Sequence, residues 1–309
     1  MKIIGIGNAI IDVLCRVNDE FLEQHQLIKG SMKIINQIEL EKLLSITKIE
    51  KRVAGGSVAN SMVGLSYLGT KVSFIGKISD DDLGKTYEKD LINQQVKFCY
   101  KKKKEVLPSG TCIILITPDN ERTMCTFLGS SATISERDIN EKIIKNSDMS
   151  ILEGYLWDSN DSKLAFNKIL KNSKKKVMSL SDKFCVVRHQ KDFLDLVKNH
   201  LDIVFANEQE ILALLGTEDL KKAINICKTL KKIIVITRSE KGSIAVLDDT
   251  VEEYEARKNL KIKDLTGAGD LFLAGFLNNY IKNKNLKECL NLGTEMASKI
   301  IQKVGSRLH

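Results

Sequence analysis

The stretch that most narrows what this chain can become is Asp264-Leu265-Thr266-Gly267-Ala268-Gly269-Asp270, followed at once by an apolar run, residues 271–280. Two glycines and an alanine carry almost no side chain, so backbone there can approach a ligand closely. The apolar run predicts a helix. A helix that starts here leaves its first N–H groups unpaired and pointing outward. Those groups and the positive end of the helix dipole suit a phosphate. Asp270 falls in the same first turn, where the helix end favours the ionised carboxylate. A carboxylate beside a phosphate site can take the proton from a hydroxyl that attacks phosphorus. The residues alone also allow a tight glycine turn with Asp270 as a plain helix-start acid.

With 309 residues, 43% of them hydrophobic, the chain can bury a large core as one big domain or two smaller ones. Only two prolines are present, which argues against a disordered or linker-rich chain. The formal net charge is +8, yet the one dense basic run is residues 101–104. One such run reads as a solvated turn, and no nucleic-acid partner is expected. Seven cysteines are scattered without a C-x-x-C pair, the pattern of free thiols in a reducing cytoplasm. His25, His189, His200 and His309 lie far apart and mark no metal motif. The apolar first fourteen positions carry Gly5, Asn8 and Asp12, which predicts a buried first strand rather than a leader, and no membrane segment is expected.

A first strand over residues 2–6 runs into Gly5-Ile6-Gly7-Asn8-Ala9-Ile10, which lacks the third small residue of a dinucleotide fingerprint. Asn8 and Asp12 are polar inside an apolar segment and need partners. A turn role and recognition of hydroxyls at a strand end are both open for them. Val53-Ala54-Gly55-Gly56-Ser57-Val58-Ala59-Asn60 leads into a helix ending near Gly69. Gly84-Lys85-Thr86 echoes a P-loop, but Ser79 stands where its first glycine belongs, so it is not one. Residues 111–117 and 122–128 flank Pro118-Asp119-Asn120-Glu121 and predict a hairpin, with residues 13–17 and 32–35 as pairing partners. A further strand over 72–75 ends at Gly76, and strands over 149–152, 177–180, 203–206 and 233–237 alternate with helical segments in the later part of the chain. That alternation predicts a three-layer α/β fold on a doubly wound, mostly parallel sheet, with ligands at the strand carboxyl ends. Two such ends carry chemistry, Asn207 with Glu210 and Thr237 with Gly242. Asn207 and Glu210 also fit a capping box. In residues 153–158, Tyr155 and Trp157 are either a stacking surface for a base or core.

The string 264–270 resembles the D-T-x-G-A-G-D signature of the ribokinase-like (PfkB) family of sugar and nucleoside kinases, with Leu265 where threonine is usual. Gly55-Gly56 with Asn60 resembles the same family's G-G-x-x-x-N signature, and the two occur in the family's order. The resemblance implies one ribokinase-like domain over residues 1–309, with a β-sheet lid from about 13–37 and 97–128. It implies transfer of the γ-phosphate of ATP to an alcohol, with Asp270 as base and Gly267, Ala268 and Gly269 as anion hole. Asn8, Asp12, Gly55, Gly56 and Asn60 would meet the acceptor, Asp12 gripping two adjacent hydroxyls. An acceptor lacking them would strand a buried charge. Arg122 would either reach the phosphate from the lid or be a solvated turn residue. Asn207, Thr237, Gly242, Asp264 and Thr266 would hold the nucleotide, although Ser239 departs from the usual glycine of that turn. Glu210 would meet Mg²⁺ through water, and a monovalent cation such as K⁺ is a further expectation. Residues 286–304 would wall the adenine pocket. Gly7-Asn8 through Asp12, with residues 117–123, resemble adenosine-kinase-type members. The alternatives are a ribose or fructose kinase and a non-catalytic regulatory binder, against which an intact Asp270 counts. A cytoplasmic monomer or homodimer is expected.

Overall fold

In the computed structural model residues 1–119 and 121–308 are described; Asn120 of the hairpin turn and His309 lie outside them. The strands are, along the chain, β1 Lys2–Ile6, β2 Ile10–Arg16, β3 Met32–Ile34, β4 Ile49–Ala54 and β5 Lys71–Ile75. They continue with β6 Lys97–Phe98, β7 Gly110–Ile116, β8 Arg122–Phe127, β9 Met149–Glu153 and β10 Lys176–Ser179. The last are β11 Ile203–Asn207, β12 Ile233–Thr237, β13 Ser243–Leu247 and β14 Thr250–Tyr254.

Nine strands form one sheet in the order β14-β13-β12-β11-β10-β9-β1-β5-β6. Its pairings from β12 to β6 are parallel, and β13 and β14 add an antiparallel edge. Successive residues of β1 go to opposite faces, Ile3 into one apolar cluster and Ile4 and Ile6 into another. Strands covered on both faces must be apolar throughout, which is why these runs show no alternation. Chain order reverses at β1, which lies between β9 and β5, and such a switch point leaves a crevice at the strand carboxyl ends. Asn8 follows β1 there and Glu153 ends β9.

Five strands form the small sheet, in the order β3-β8-β7-β2-β4. Two features differ from the sequence expectation. β4, rich in charge (IEKRVA), joins this sheet by pairing with β2, whereas β6, expected in the small sheet, pairs with β5 in the large one. A half-exposed edge strand need bury no regular stripe, so β4 lacks the pattern that marks a strand. Asp12, Cys112 and Thr126 are in register, as are Leu14, Ile114 and Met124, so these share one face of the small sheet. The opposite face, with Ile113, Leu115 and Cys125, belongs to the main core together with Leu40 and Leu43 of helix Gln37–Ile46.

Helices Ser57–Tyr67 and Ala268–Tyr280 pack directly on each other. A Cβ on Gly64 would lie 2.8 Å from Ala274 Cβ and from Leu271 Cδ1, so the two backbones approach closely. Among the described residues no helix is long and apolar enough to cross a membrane. Phe276 is fully buried and meets Phe205 edge-on at 5.3 Å between centroids. Phe276→Ala is expected to lower unfolding free energy by about 3–5 kcal/mol, read from denaturant melts.

Candidate active site

The Ala268–Tyr280 helix starts at Gly267, whose φ of 81° is left-handed, and a Cβ there would lie 2.8 Å from the Ser306 carbonyl oxygen. Only glycine fits both constraints. Gly269 is exposed, and nothing lies within 4 Å of where its Cβ would stand. The Ala268 N–H is spent on Leu265 O at 3.2 Å, contrary to its expected place among the anion-hole donors. Among the described residues the N–H groups of Gly269 and Asp270 have no partner.

Asp270 Oδ1 accepts from Ser57 Oγ at 2.6 Å, and Oδ2 accepts from Asn60 Nδ2 at 3.0 Å. Asn60 Oδ1 in turn accepts from Arg307 Nε at 2.9 Å, which fixes the amide with its NH₂ toward Asp270. Asn60 was expected at the acceptor's hydroxyls; it is buried, with both ends of its amide engaged by protein. Burial pushes the Asp270 carboxyl up to about 6, against the hydrogen bonds from Ser57 and Asn60 and the charge of Arg307. Loss of water thus moves the carboxyl opposite to the direction expected of the helix end, while leaving it mostly ionised at neutral pH.

Asp12 is half-buried on the small sheet. Burial raises its carboxyl to about 7; Arg307 and Arg122 oppose this, and Asp270 and Asp264 add to it. A Cβ on Gly55 would lie 2.5 Å from Asp12 Oδ2, so the glycine lets the chain pass close to that acid. Gly56 has φ of 89° and begins the Ser57–Tyr67 helix. Around Asp12 the same sheet face is apolar, with Leu14, Cys112, Ile114 and Met124. Asn8, expected at the acceptor, is buried against Glu153. Glu153 accepts from Asn8 N at 3.2 Å and Val58 N at 3.1 Å, and burial raises it to about 7.

Arg122 is neither a solvated turn residue nor free to reach out. Its Nη2 pairs with Asp264 Oδ2 at 2.7 Å and its Nη1 donates to Thr266 Oγ1 at 3.2 Å. Asp264, expected at the nucleotide, also accepts from Gly305 N at 2.6 Å and Thr266 N at 3.0 Å. Its carboxylate therefore organises the loop. Asn207 and Thr237 are register neighbours at the ends of β11 and β12. Asn207 and Glu210 exchange a full capping box. Glu210 is buried and raised to about 7, by burial first and with Asp182 adding. Gly242 closes the turn after β12 on β14 and has φ of 86°. Trp157 is core: it meets Phe166 and Phe193 edge-on and donates to Asp192. Among the described residues no group of three or more His, Cys, Asp or Glu side chains is placed to hold a metal ion.

Three residues of this cluster carry no expectation from sequence. Ser57 follows the Gly55-Gly56 pair directly, and Glu153 is an acid closing an apolar strand, so both had a local signal. Arg307 had none, because its partners Asn60 and Gly55 lie 247 and 252 positions away along the chain.

The model of the pfkB family carbohydrate kinases matches residues 34–309. Adenosine kinase from Sinorhizobium meliloti superposes with a TM-score of 0.92 at 36% identity, covering 99% of this chain and 95% of that one. A probable sugar kinase from Rhizobium etli superposes with a TM-score of 0.91 at 34% identity, covering 99% and 94%. Adenosine kinase 2 of Arabidopsis thaliana is 26% identical over 329 residues, 98% of this chain and 94% of that protein. The molecule is thus a ribokinase-like phosphotransferase with an alcohol group as acceptor. Within that class it belongs to the pfkB family and is one of its adenosine-kinase-type members.

Glu153→Gln is expected to compare increasingly well with the parent as pH rises from 5 to 8. The raised carboxyl binds its proton more tightly folded than unfolded, so what it contributes to stability is present at low pH and lost as pH climbs through about 7. Melting temperatures of both proteins across that range check this, and a pH-independent difference would contradict it.

Proposed function

We propose that this enzyme transfers the γ-phosphoryl group of ATP to the 5'-hydroxyl of adenosine. The observation that carries the reading is Asp270, gripped from a second helix by Ser57 and Asn60, beside the unpartnered N–H groups of Gly269 and Asp270. In that position Asp270 takes the proton of the attacking hydroxyl, and the two N–H groups meet charge that develops on the transferring group. Asp12 faces the same cleft: it lies against Gly55, and two residues further on Ser57 donates to Asp270. A carboxylate there accepts two hydrogen bonds from the vicinal diol of a ribose, which lowers its raised pKa on binding. Gly55 and Gly56 keep side chains clear of that diol.

The apolar face of Leu14, Cys112, Ile114 and Met124 supports a nucleoside over a bare sugar, because a base has a flat apolar surface to bury and ribose does not. The small sheet acts as a lid that keeps water from the phosphoryl group. Asn207, Thr237, Gly242 and Thr266 line the donor side. Asn207 and Glu210 would hold Mg²⁺ through water, at a place where the charge of Asp182 adds to burial in raising the Glu210 carboxyl. Bound through water and the ATP phosphates, the ion would supply positive charge. The protein's own part there is to hold Glu210 by its capping box.

Asp270→Asn is expected to lower turnover by roughly 10²–10⁴-fold with ATP binding intact. In the parent, turnover should fall as pH drops through about 6, because the base works only unprotonated. A near-parental rate in the variant would remove Asp270 from the chemistry. Comparing kcat/KM for adenosine, ribose and fructose with MgATP tests the acceptor. Adenosine is expected to be preferred; equal values, or a preference for either sugar, would overturn that assignment.

A further inference from the structure

The segment 305–307 threads between the starts of the two catalytic helices, and each of its residues touches a different part of the cleft. Gly305 N donates to Asp264 Oδ2, and Ser306 packs against Gly267. Arg307 is buried, and its guanidinium is shared among three elements. Nε donates to Asn60 Oδ1 at 2.9 Å, Nη2 to Gly55 O at 3.3 Å, and Nη1 pairs with Asp90 Oδ2 at 2.8 Å. Asn60 holds Asp270, and Gly55 lies against Asp12. One side chain therefore stands directly behind the contacts of both acids.

The charges around the cleft make this placement matter. Asp12 from β2, Glu153 from β9, Asp264 from the loop before the helix and Asp270 itself are four acids. Against them stand Arg122 from β8 and Arg307. Arg122 is committed to Asp264 at 2.7 Å, and Asp90 offsets part of Arg307. Arg307 is the cation felt by both Asp12 and Asp270.

We propose that Arg307 is a positioning residue for phosphoryl transfer: it aims Asp270 through Asn60 and supplies the positive charge that the two acids of the cleft share. The planar fork of an arginine suits this, because it reaches three acceptors at once with one fixed charge. Its consequence for turnover rests on the kinase reading above; its consequence for the acids does not.

The test uses the full chain with Arg307→Met, Arg307→Lys and Asp90→Asn. The midpoint of Asp270 is followed by carboxyl carbon NMR in the absence of substrates, with the resonance assigned from Asp270→Asn. Arg307→Met is expected to raise that midpoint by about one unit, the effect of removing a nearby opposite charge. The acid limb of kcat/KM should rise with it, and the acceptor's KM should increase more than that of ATP. Arg307→Lys should return the midpoint toward the parent while turnover stays reduced, since an ammonium cannot hold Asn60, Gly55 and Asp90 together. Asp90→Asn should move the midpoint down, because Arg307 then keeps its full charge for the cleft. A folded Arg307→Met with an unmoved midpoint would overturn the proposal, even if turnover were lost. So would Asp90→Asn shifting the midpoint upward or not at all, a result that decides the matter if Arg307→Met fails to fold. Shifts as expected in a protein that phosphorylates none of the acceptors would sustain this inference and defeat the proposed function instead.

Discussion

Two helices meet at their starts, where Ser57 and Asp270 lie 213 positions apart in sequence, and the cleft exists because of that meeting. Close approach at Gly64 against Leu271 and Ala274 sets the spacing. The spacing lets Ser57 Oγ and Asn60 Nδ2 reach the two oxygens of Asp270. A carboxylate with both oxygens engaged from another helix has little rotational freedom left. Its direction is a property of core packing, not of the loop that precedes it. Preorganisation of this kind is what a positioned base needs, since the protein need not reorganise when the hydroxyl arrives.

The same burial that fixes these groups raises their proton affinity. Asp12, Glu153, Glu210 and Asp270 are all pushed upward, with loss of water as the leading cause in each. Functional clefts gather such groups more often than structural cores do. Here they divide by company. Asp270 and Asp12 feel Arg307, whereas Glu153 is served by two backbone N–H groups and Glu210 by its capping partner. Acids of one kind thus differ in what surrounds them, two facing a buried arginine and two held by hydrogen bonds from their own neighbourhood.

The large sheet was legible because its strands are buried on both faces and read as unbroken apolar runs between helices. The charged strand β4 and the two-residue β6 were not, since neither carries a pattern long or regular enough to mark where it pairs. At the cleft, the glycine-rich junction pointed to the place, because small residues before an apolar helix have few other uses. What local sequence withheld was the partner of each polar side chain. Asn60, Asp264 and Arg122 look like ligand-binding residues in isolation; each is instead engaged by protein groups far away in sequence. Arg307 is the extreme case, for its role depends on the full path of the chain returning to its first third.

The tie between Arg122 and Asp264 joins a strand of the small sheet to a loop of the large one, and both side chains are largely shielded from water. Any swing that carried the small sheet outward would have to part these charges before bulk solvent could replace the lost contact. Shielded pairs are also weakly screened by salt. Together with the Arg122 bond to Thr266 and the apolar face that the small sheet buries in the main core, the pair fastens the two sheets along both faces of the smaller one.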